Sequence, residues 1–403
     1  MNSKAGKYLK NSWSRIIAFR RKTNRRKLTN LSFLSLMIFA VSATITPSSL
    51  RSIIEAFKIN FSQVGVLFGV SFSGYFVGVS FGGFISDRLG RNVISLGILS
   101  LAISLLSFGL SSNYWILLVL IWFIGSSGGL IEATASALVS ELHPERKGYS
   151  LNLSQVFFGI GSIIGPLIPG YLLFLNLSWR LSYIIISLIT FLLFGLFFRV
   201  EFPLLTYTQR IDSSKVLKLF KSKMFLLLSI CMLLYGGAEV GLTSWIPIYV
   251  QKNSFSSAIF GSAALSLFWG GMTAGRLLIS WLSSKVPYEY LMLFSAGLGM
   301  LSTLVAIFST YITVVLIFFA ITGFCLSGIW PTLLACAGDI FPVYLGTAFG
   351  VLISIGAIGA AIYPWLIGLF VKLVGMRYAV CTIAILLLGI LSIFLYMIKY
   401  RPY

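Results

Sequence analysis

The chain has 403 residues, of which 58% are hydrophobic and only 10% charged, against roughly 45–50% and about 25% in soluble globular proteins. A water-soluble fold of this length cannot hide so much apolar surface, so that class is excluded and the bilayer must solvate the exterior. The formal net charge of +20 does not mark a nucleic-acid binder either, because ten of the thirty Lys/Arg lie in residues 4–27 and most others fill short gaps between apolar runs.

In chain order, residues 1–29 form a basic tail. Leu9, Trp13, Ile16 and Ile17 fall on one helical face, with Lys10, Arg15, Arg20 and Arg21 elsewhere. Two readings stand: an interfacial helix on anionic lipid, or a disordered basic tail. Residues 20–43 loosely fit a cleaved signal peptide, with Val41-Ser42-Ala43 as the small-residue site. Removing them would leave eleven helices and break the repeat described below, so this stretch is read as the first span.

Hydropathy then predicts twelve transmembrane segments, near 30–50, 64–85, 93–110, 114–140, 150–175, 180–198, 224–250, 258–282, 291–308, 312–338, 346–374 and 379–398. At 1.5 Å per residue each can cover about 30 Å of hydrocarbon, some with tilt. The division expected is an N-terminal six-helix bundle over 30–198, a basic linker over 199–223, a C-terminal six-helix bundle over 224–398 and a short end over 399–403. With the first residues in the cytoplasm, cytoplasmic segments hold 23 Lys/Arg and the opposite side six, Arg276 lying within a helix. The positive-inside rule therefore places both termini in the cytoplasm, in the inner membrane of the cell.

The two halves repeat each other. At an offset of 198, His143-Pro144 falls on Phe341-Pro342, Gly148 on Gly346, Gly161 on Gly359, Pro166 on Pro364 and Gly170 on Gly368. At 197, Gly74 and Gly78 fall on Gly271 and Gly275. The expected fold is all-α, two six-helix bundles related by a pseudo-twofold axis. Such a duplication implies a solute site between the halves, near the midplane, with alternating access by rocking.

Of the ten Asp/Glu residues, Glu132 and Glu239 alone sit deep in apolar helices. An ionised side chain at the bilayer centre costs at least about 2.5–3.5 kcal/mol on insertion scales, so each must face a cavity, find a cation or hold a proton. A proton-coupling role and a structural ion pair with Arg276 both remain open for each. Asn152 and Gln155 can supply bidentate polar contacts to a small polar solute, and Trp245, Trp269 and Trp330 a flat apolar face. The alternative for each tryptophan is packing or an interfacial belt. Trp330 is the repeat mate of Glu132 at offset 198. Cys231, Cys325, Cys336 and Cys381 lie in apolar stretches with no metal spacing and read as reduced packing residues. With one histidine, His143, no multi-His metal site can be built, and no cofactor is expected.

Between segments 2 and 3 runs Gly83-Phe-Ile-Ser-Asp87-Arg88-Leu-Gly90-Arg91. Together with the topology and the 6+6 repeat, this spacing resembles the loop motif of the major facilitator superfamily. The resemblance implies a gating role for Gly83, Asp87, Arg88, Gly90 and Arg91. The second-half equivalent, Ser280-Trp-Leu-Ser-Ser284-Lys285, is degraded, so gating is expected to be asymmetric. Gly129-Leu-Ile-Glu132-Ala-Thr-Ala-Ser136, Leu151-Asn152-Leu-Ser-Gln155, Phe158-Gly159-Ile-Gly161, Tyr235-Gly-Gly-Ala-Glu239-Val-Gly241 and Gly275-Arg276 are similar to the fucose:proton symporter group. That likeness implies a proton and sugar role for Glu132 and a sugar contact for Gln155. Ser136 stands where the group usually has Asn, and residues 31–50 carry no acid where the fucose symporter has one.

The expected function is secondary transport of a small polar solute, a sugar or related compound, coupled to protons, by a monomer embedded in membrane lipid. The competing expectation within the class is a drug or metabolite efflux antiporter. A membrane enzyme or a non-transporting receptor is disfavoured: there is no nucleophile–base or metal constellation, no P-loop and no long hydrophilic domain.

Overall fold

A computed structural model of the chain describes residues 2–89, 92–198, 200–202, 219–253, 257–282, 285–341 and 345–399, with the side chains of residues 2–23 among those left undescribed. Thirteen α-helices are described. They are α1 (Asn2–Phe57), α2 (Phe61–Leu89), α3 (Val93–Leu110), α4 (Tyr114–Leu142), α5 (Lys147–Phe174), α6 (Arg180–Phe197) and α7 (Lys223–Asn253). There follow α8 (Ala258–Leu282), α9 (Tyr288–Phe308), α10 (Ile312–Leu326), α11 (Ile329–Ile340), α12 (Leu345–Val374) and α13 (Met376–Lys399).

These make twelve helices long and apolar enough to cross a membrane, because α10 and α11 together form one span, Ile312–Ile340. The break at Ser327–Gly328 has a covalent cause. Pro331, four residues after Ser327, has no N–H to return to the Ser327 carbonyl, so the ladder loses a rung there. The ladder resumes with the Thr332 N–H donating to the Gly328 carbonyl at 3.0 Å. The first span begins at Asn24, and backbone helix continues upstream of it to Asn2. The amphipathic face expected in the tail lies outside the described side chains.

The packing pairs repeat across the two halves. In the first bundle α2 packs on α4, α1 on α5, and α3 on α6 and α4; in the second α8 packs on α10, α7 on α12, and α9 on α13 and α10. The bundles join mainly through two further pairs, α2 with α12 and α5 with α8, with lesser contacts of α1 on α7 and α8. A twofold operation that carries α2 onto α8 and α5 onto α12 exchanges these two seams, as the duplicated sequence requires.

Glycine sets the closeness of the crossings. A Cβ on Gly125 would lie 2.0 Å from the Ser71 carbonyl oxygen, and one on Gly323, its repeat mate, 2.0 Å from that of Phe268. Without hydrocarbon-driven burial to hold helices together in lipid, this backbone approach supplies the van der Waals contact that does.

Candidate functional site

Between the bundles lies a cavity of about 940 Å³, lined by residues of α1, α2, α4 and α5 from one half and of α7 to α9, α11 and α12 from the other. Its charged lining residues are Glu132 on α4, Glu239 on α7 and Arg276 on α8. Asn152, Gln155, Trp269 and Trp330 line it as well. Six of the seven residues expected to touch a solute therefore meet in one space.

Trp245 does not line the cavity. It is fully buried, its indole N–H donating to the Pro364 carbonyl at 3.1 Å. Its ring meets Phe61 and Phe68 of the other half, at 6.1 and 6.3 Å between centroids. Apolar periodicity cannot tell which face of a wholly apolar helix meets water, and here the tryptophan closes a seam instead of facing a solute.

One of the acids is held by a phenol. The Tyr75 hydroxyl, from α2, donates to Glu132 Oε2 at 2.8 Å. Tyr235 stands one turn before Glu239 on α7. Nothing in the sequence separates Tyr75 from other tyrosines in apolar runs, whereas Tyr235 opens the stretch that resembles the symporter group. Only the α2–α4 crossing, set by Gly129 lying against the Tyr75 carbonyl, brings Tyr75 to Glu132. Arg276 acts electrostatically on both glutamates, but among the described residues it makes no ion pair within 4.0 Å; its hydrogen bond goes to the Met272 thioether at 3.7 Å. The structural ion pair considered from sequence is thus absent in this conformation.

An aromatic wall crosses the cavity from one half to the other. Tyr75 stacks on Phe39 (6.0 Å), Phe39 meets Phe158 edge-on (5.9 Å) and Phe158 meets Trp269 edge-on (6.0 Å). On the opposite wall Trp330 tilts against Tyr235 at 6.0 Å. Rings of this kind offer flat apolar faces beside a few fixed polar groups, the usual make-up of small-molecule sites.

Among the described residues, the close contacts between the halves concentrate toward one end. Gly65 and Gly69 on α2 pack against Pro364, Trp365 and Ala361 on α12, and Gly170 on α5 against Ser262 on α8. Lys252 lies 4.3 Å over the Phe61 ring, and the Ser266 hydroxyl donates to the Ile163 carbonyl across the seam at 2.8 Å. These residues sit at the end where α1 and α7 finish. At the basic end the cavity reaches exposed Tyr149.

At that basic end His143 caps the last turn of α4. Its Nδ1 meets Arg25 Nη2 at 2.9 Å and its Nε2 meets the Thr29 hydroxyl at 2.9 Å, while Arg25 also pairs with Glu145. Partial burial, then the Arg25 charge, hold the imidazole below its ordinary pKa. A hydrogen bond with its own backbone, then one from Arg25, lower that of Glu145. In the expected gating loop, Gly90 and Arg91 lie outside the described residues, as do the side chains of Asp87 and Arg88 and the surroundings of Gly83.

The family model for the Major Facilitator Superfamily matches residues 31–313 and 254–403. A TsgA homolog of Buchnera aphidicola subsp. Baizongia pistaciae is 25% identical, over 84% of this chain and 87% of that protein. The glucose/mannose transporter GlcP of Bacillus subtilis is 25% identical, over 78% and 81%. Among solved structures, a D-xylose–proton symporter superposes with a TM-score of 0.76 at 16% identity, over 93% of this chain and 98% of that one.

Proposed function

The chain belongs to the Major Facilitator Superfamily, and we propose that it is a secondary transporter that moves a sugar or a closely related polar solute, coupled to protons. The observation that carries this reading is the pair of carboxyls, Glu132 and Glu239, one from each half, in the cavity between the bundles, the first held by Tyr75. A carboxyl in a chamber that opens to water can exchange its proton there, and the solute's hydroxyls can take its place as hydrogen-bond partner to Tyr75. Asn152 and Gln155 add polar contacts on α5, and Trp269 and Trp330 the flat faces. The glucose/mannose relative supports the choice of solute class.

In this reading the basic face is cytoplasmic, as the 23-to-6 distribution of Lys/Arg favours. The seams among Phe61, Gly65, Gly170 and Lys252 then close the outer face, and the cavity opens inward. Transport proceeds when rocking of the bundles parts these seams and brings the opposite ends together. One chain carries both halves and the cavity, so the working unit is a monomer.

The test is uptake of labelled glucose and mannose into proteoliposomes, with and without an inward proton gradient. Glu132→Gln should abolish gradient-driven accumulation while counterflow exchange survives, since Gln keeps the hydrogen-bonding shape but cannot lose a proton. Undiminished accumulation by that variant would refute the role given to Glu132. A second reading, efflux of an amphipathic metabolite in exchange for protons, is favoured by the cavity's size and its aromatic wall. At about 940 Å³ it lies near the top of the roughly 300–1,000 Å³ range for small-molecule sites. Proton-driven extrusion of a hydrophobic dye, with no sugar counterflow, would select it.

A further inference from the structure

Resting on the sugar-transport reading above, we propose that the preferred solute is an acidic sugar, a polyhydroxylated monocarboxylate, whose carboxylate is clamped by Arg276 and whose hydroxyls face the two glutamates. The three charged lining groups are not arranged as a closed network. Among the described residues, Arg276 has neither a carboxylate nor a carbonyl acceptor, only the Met272 sulfur. A thioether is a weak acceptor and leaves most of the five guanidinium donors for something else.

A second donor without an acceptor lies on the same helix. The Trp269 indole N–H has no hydrogen-bond partner although the side chain is 8% exposed and lines the cavity. Positions 269, 273 and 276 are spaced four and three residues apart, so all three share one face of α8. The Thr273 hydroxyl between them donates to the Trp269 carbonyl at 2.8 Å. Across from this face stands α5, whose Gly159 meets Thr273 and whose Asn152 and Gln155 also line the cavity. One wall is therefore rich in donors, and an unmatched buried donor is a cost the fold bears until an acceptor arrives.

The other two charged lining residues have the opposite character. Glu132 and Glu239 are acceptors, and the Tyr75 hydroxyl is already committed to Glu132. A neutral hexose would satisfy the acceptors but leave the guanidinium facing alcohols. A carboxylate pairs with guanidinium through two parallel N–H···O bonds, the geometry for which arginine is suited. A solute that carries one carboxylate on a hydroxylated chain matches both sets of groups at once. With Glu132 and Glu239 carrying their protons, its charge also balances that of Arg276 when the chamber is closed off from water.

The test uses gluconate and glucose as probes with the purified, reconstituted full-length protein. Tryptophan-fluorescence titration gives a Kd for each, and counterflow of labelled glucose against either unlabelled compound gives the exchange preference. The expected result is a Kd for gluconate at least tenfold below that for glucose. Arg276→Gln should bring the ratio near one, chiefly by weakening gluconate. Arg276→Lys should keep an intermediate ratio and guards against a fold defect in the Gln variant. Trp269→Phe should raise the gluconate Kd severalfold more than the glucose Kd. Equal affinities in the native protein, or a ratio unchanged in Arg276→Gln, overturn the inference and leave sugar transport standing if glucose still exchanges. Absence of binding and exchange with both probes overturns the inference and the sugar-transport reading together.

Discussion

Gly129→Ala offers a direct measure of how far helix packing sets the chemistry of Glu132. The added Cβ would sit 2.4 Å from the Tyr75 carbonyl oxygen, where ordinary contact begins at 3.4 Å. The helices α2 and α4 must part by about the 1.0 Å difference, because a backbone oxygen cannot rotate away. Carried along the crossing, that shift stretches the Tyr75–Glu132 hydrogen bond from 2.8 Å to about 3.8 Å, beyond the range in which it acts. Overpacking costs about 1–3 kcal/mol, offset by about 1 kcal/mol gained when alanine replaces glycine in a helix. The melting temperature should therefore move only modestly. Loss of a bond to a charged group, worth about 1.5–3 kcal/mol, should lower gradient-driven uptake by roughly 10- to 100-fold. Gly195→Ala, with no atom within 4 Å of its new Cβ, is the control and should leave uptake intact. Native-level uptake by Gly129→Ala would show that the α2–α4 spacing does not hold the carboxyl in its working state.

Tyr75→Phe removes the donor of the same bond with little change of shape and should cut accumulation by the same factor of roughly 10–100 for a loss of about 1.5–3 kcal/mol, measured as initial uptake rate under a proton gradient. Trp245→Phe deletes the N–H that holds the Pro364 carbonyl and should loosen the closed seam; a cysteine placed at Thr243 should then label faster with an impermeant maleimide added from that face. At the basic end, the His143 pKa lies below its ordinary value, so the fold favours the neutral ring. That contribution is complete above about pH 6.5 and is lost as pH falls toward the lowered value. Thermal unfolding in detergent at pH 7.5 and 5.0 should show a smaller acid-induced drop for His143→Gln than for the native chain.

Twelve spans, a duplicated bundle and a polar site between its halves are legible from composition and spacing because the bilayer leaves few solutions. Every spanning backbone must satisfy its own hydrogen bonds, so apolar runs of sufficient length declare themselves. Glu132 and Glu239 stand out for the same reason, since an acid in such a run has few permitted surroundings. The helix face is harder. Trp245 and Trp269 lie in equally apolar stretches, yet one plugs a seam and the other lines the chamber, a difference created by where α7 and α8 meet the opposite half. Tyr75 goes unmarked because phenols are ordinary in apolar helices. The interruption at Ser327–Gly328 was carried by Pro331, whose effect on a span is a break or a tolerated kink according to what packs beside it.

The placement of the seams bears on how the bundles can rock. At the glycines of these seams, Gly65 and Gly69 of α2 lie against Pro364, Trp365 and Ala361 of α12, and Gly159 and Gly170 of α5 lie against Thr273 and Ser262 of α8. The polar contacts described between the halves are few: the Ser266 hydroxyl on the Ile163 carbonyl and Lys252 over Phe61. Each is worth about 0.5–1.5 kcal/mol. Small smooth faces exchange one van der Waals partner for another at low cost when they part and slide, whereas a seam laced with buried ion pairs would leave unpaired charges behind. The charges are instead collected in the chamber, on Glu132, Glu239 and Arg276, where solute and proton neutralise them in the transport cycle proposed above. Occupancy of the chamber, more than the strength of the seams, is then what biases one orientation against the other. Removing the Ser266 hydroxyl (Ser266→Ala) should accordingly change the exchange rate by no more than about tenfold. A change of a hundredfold would place the control in the seam instead.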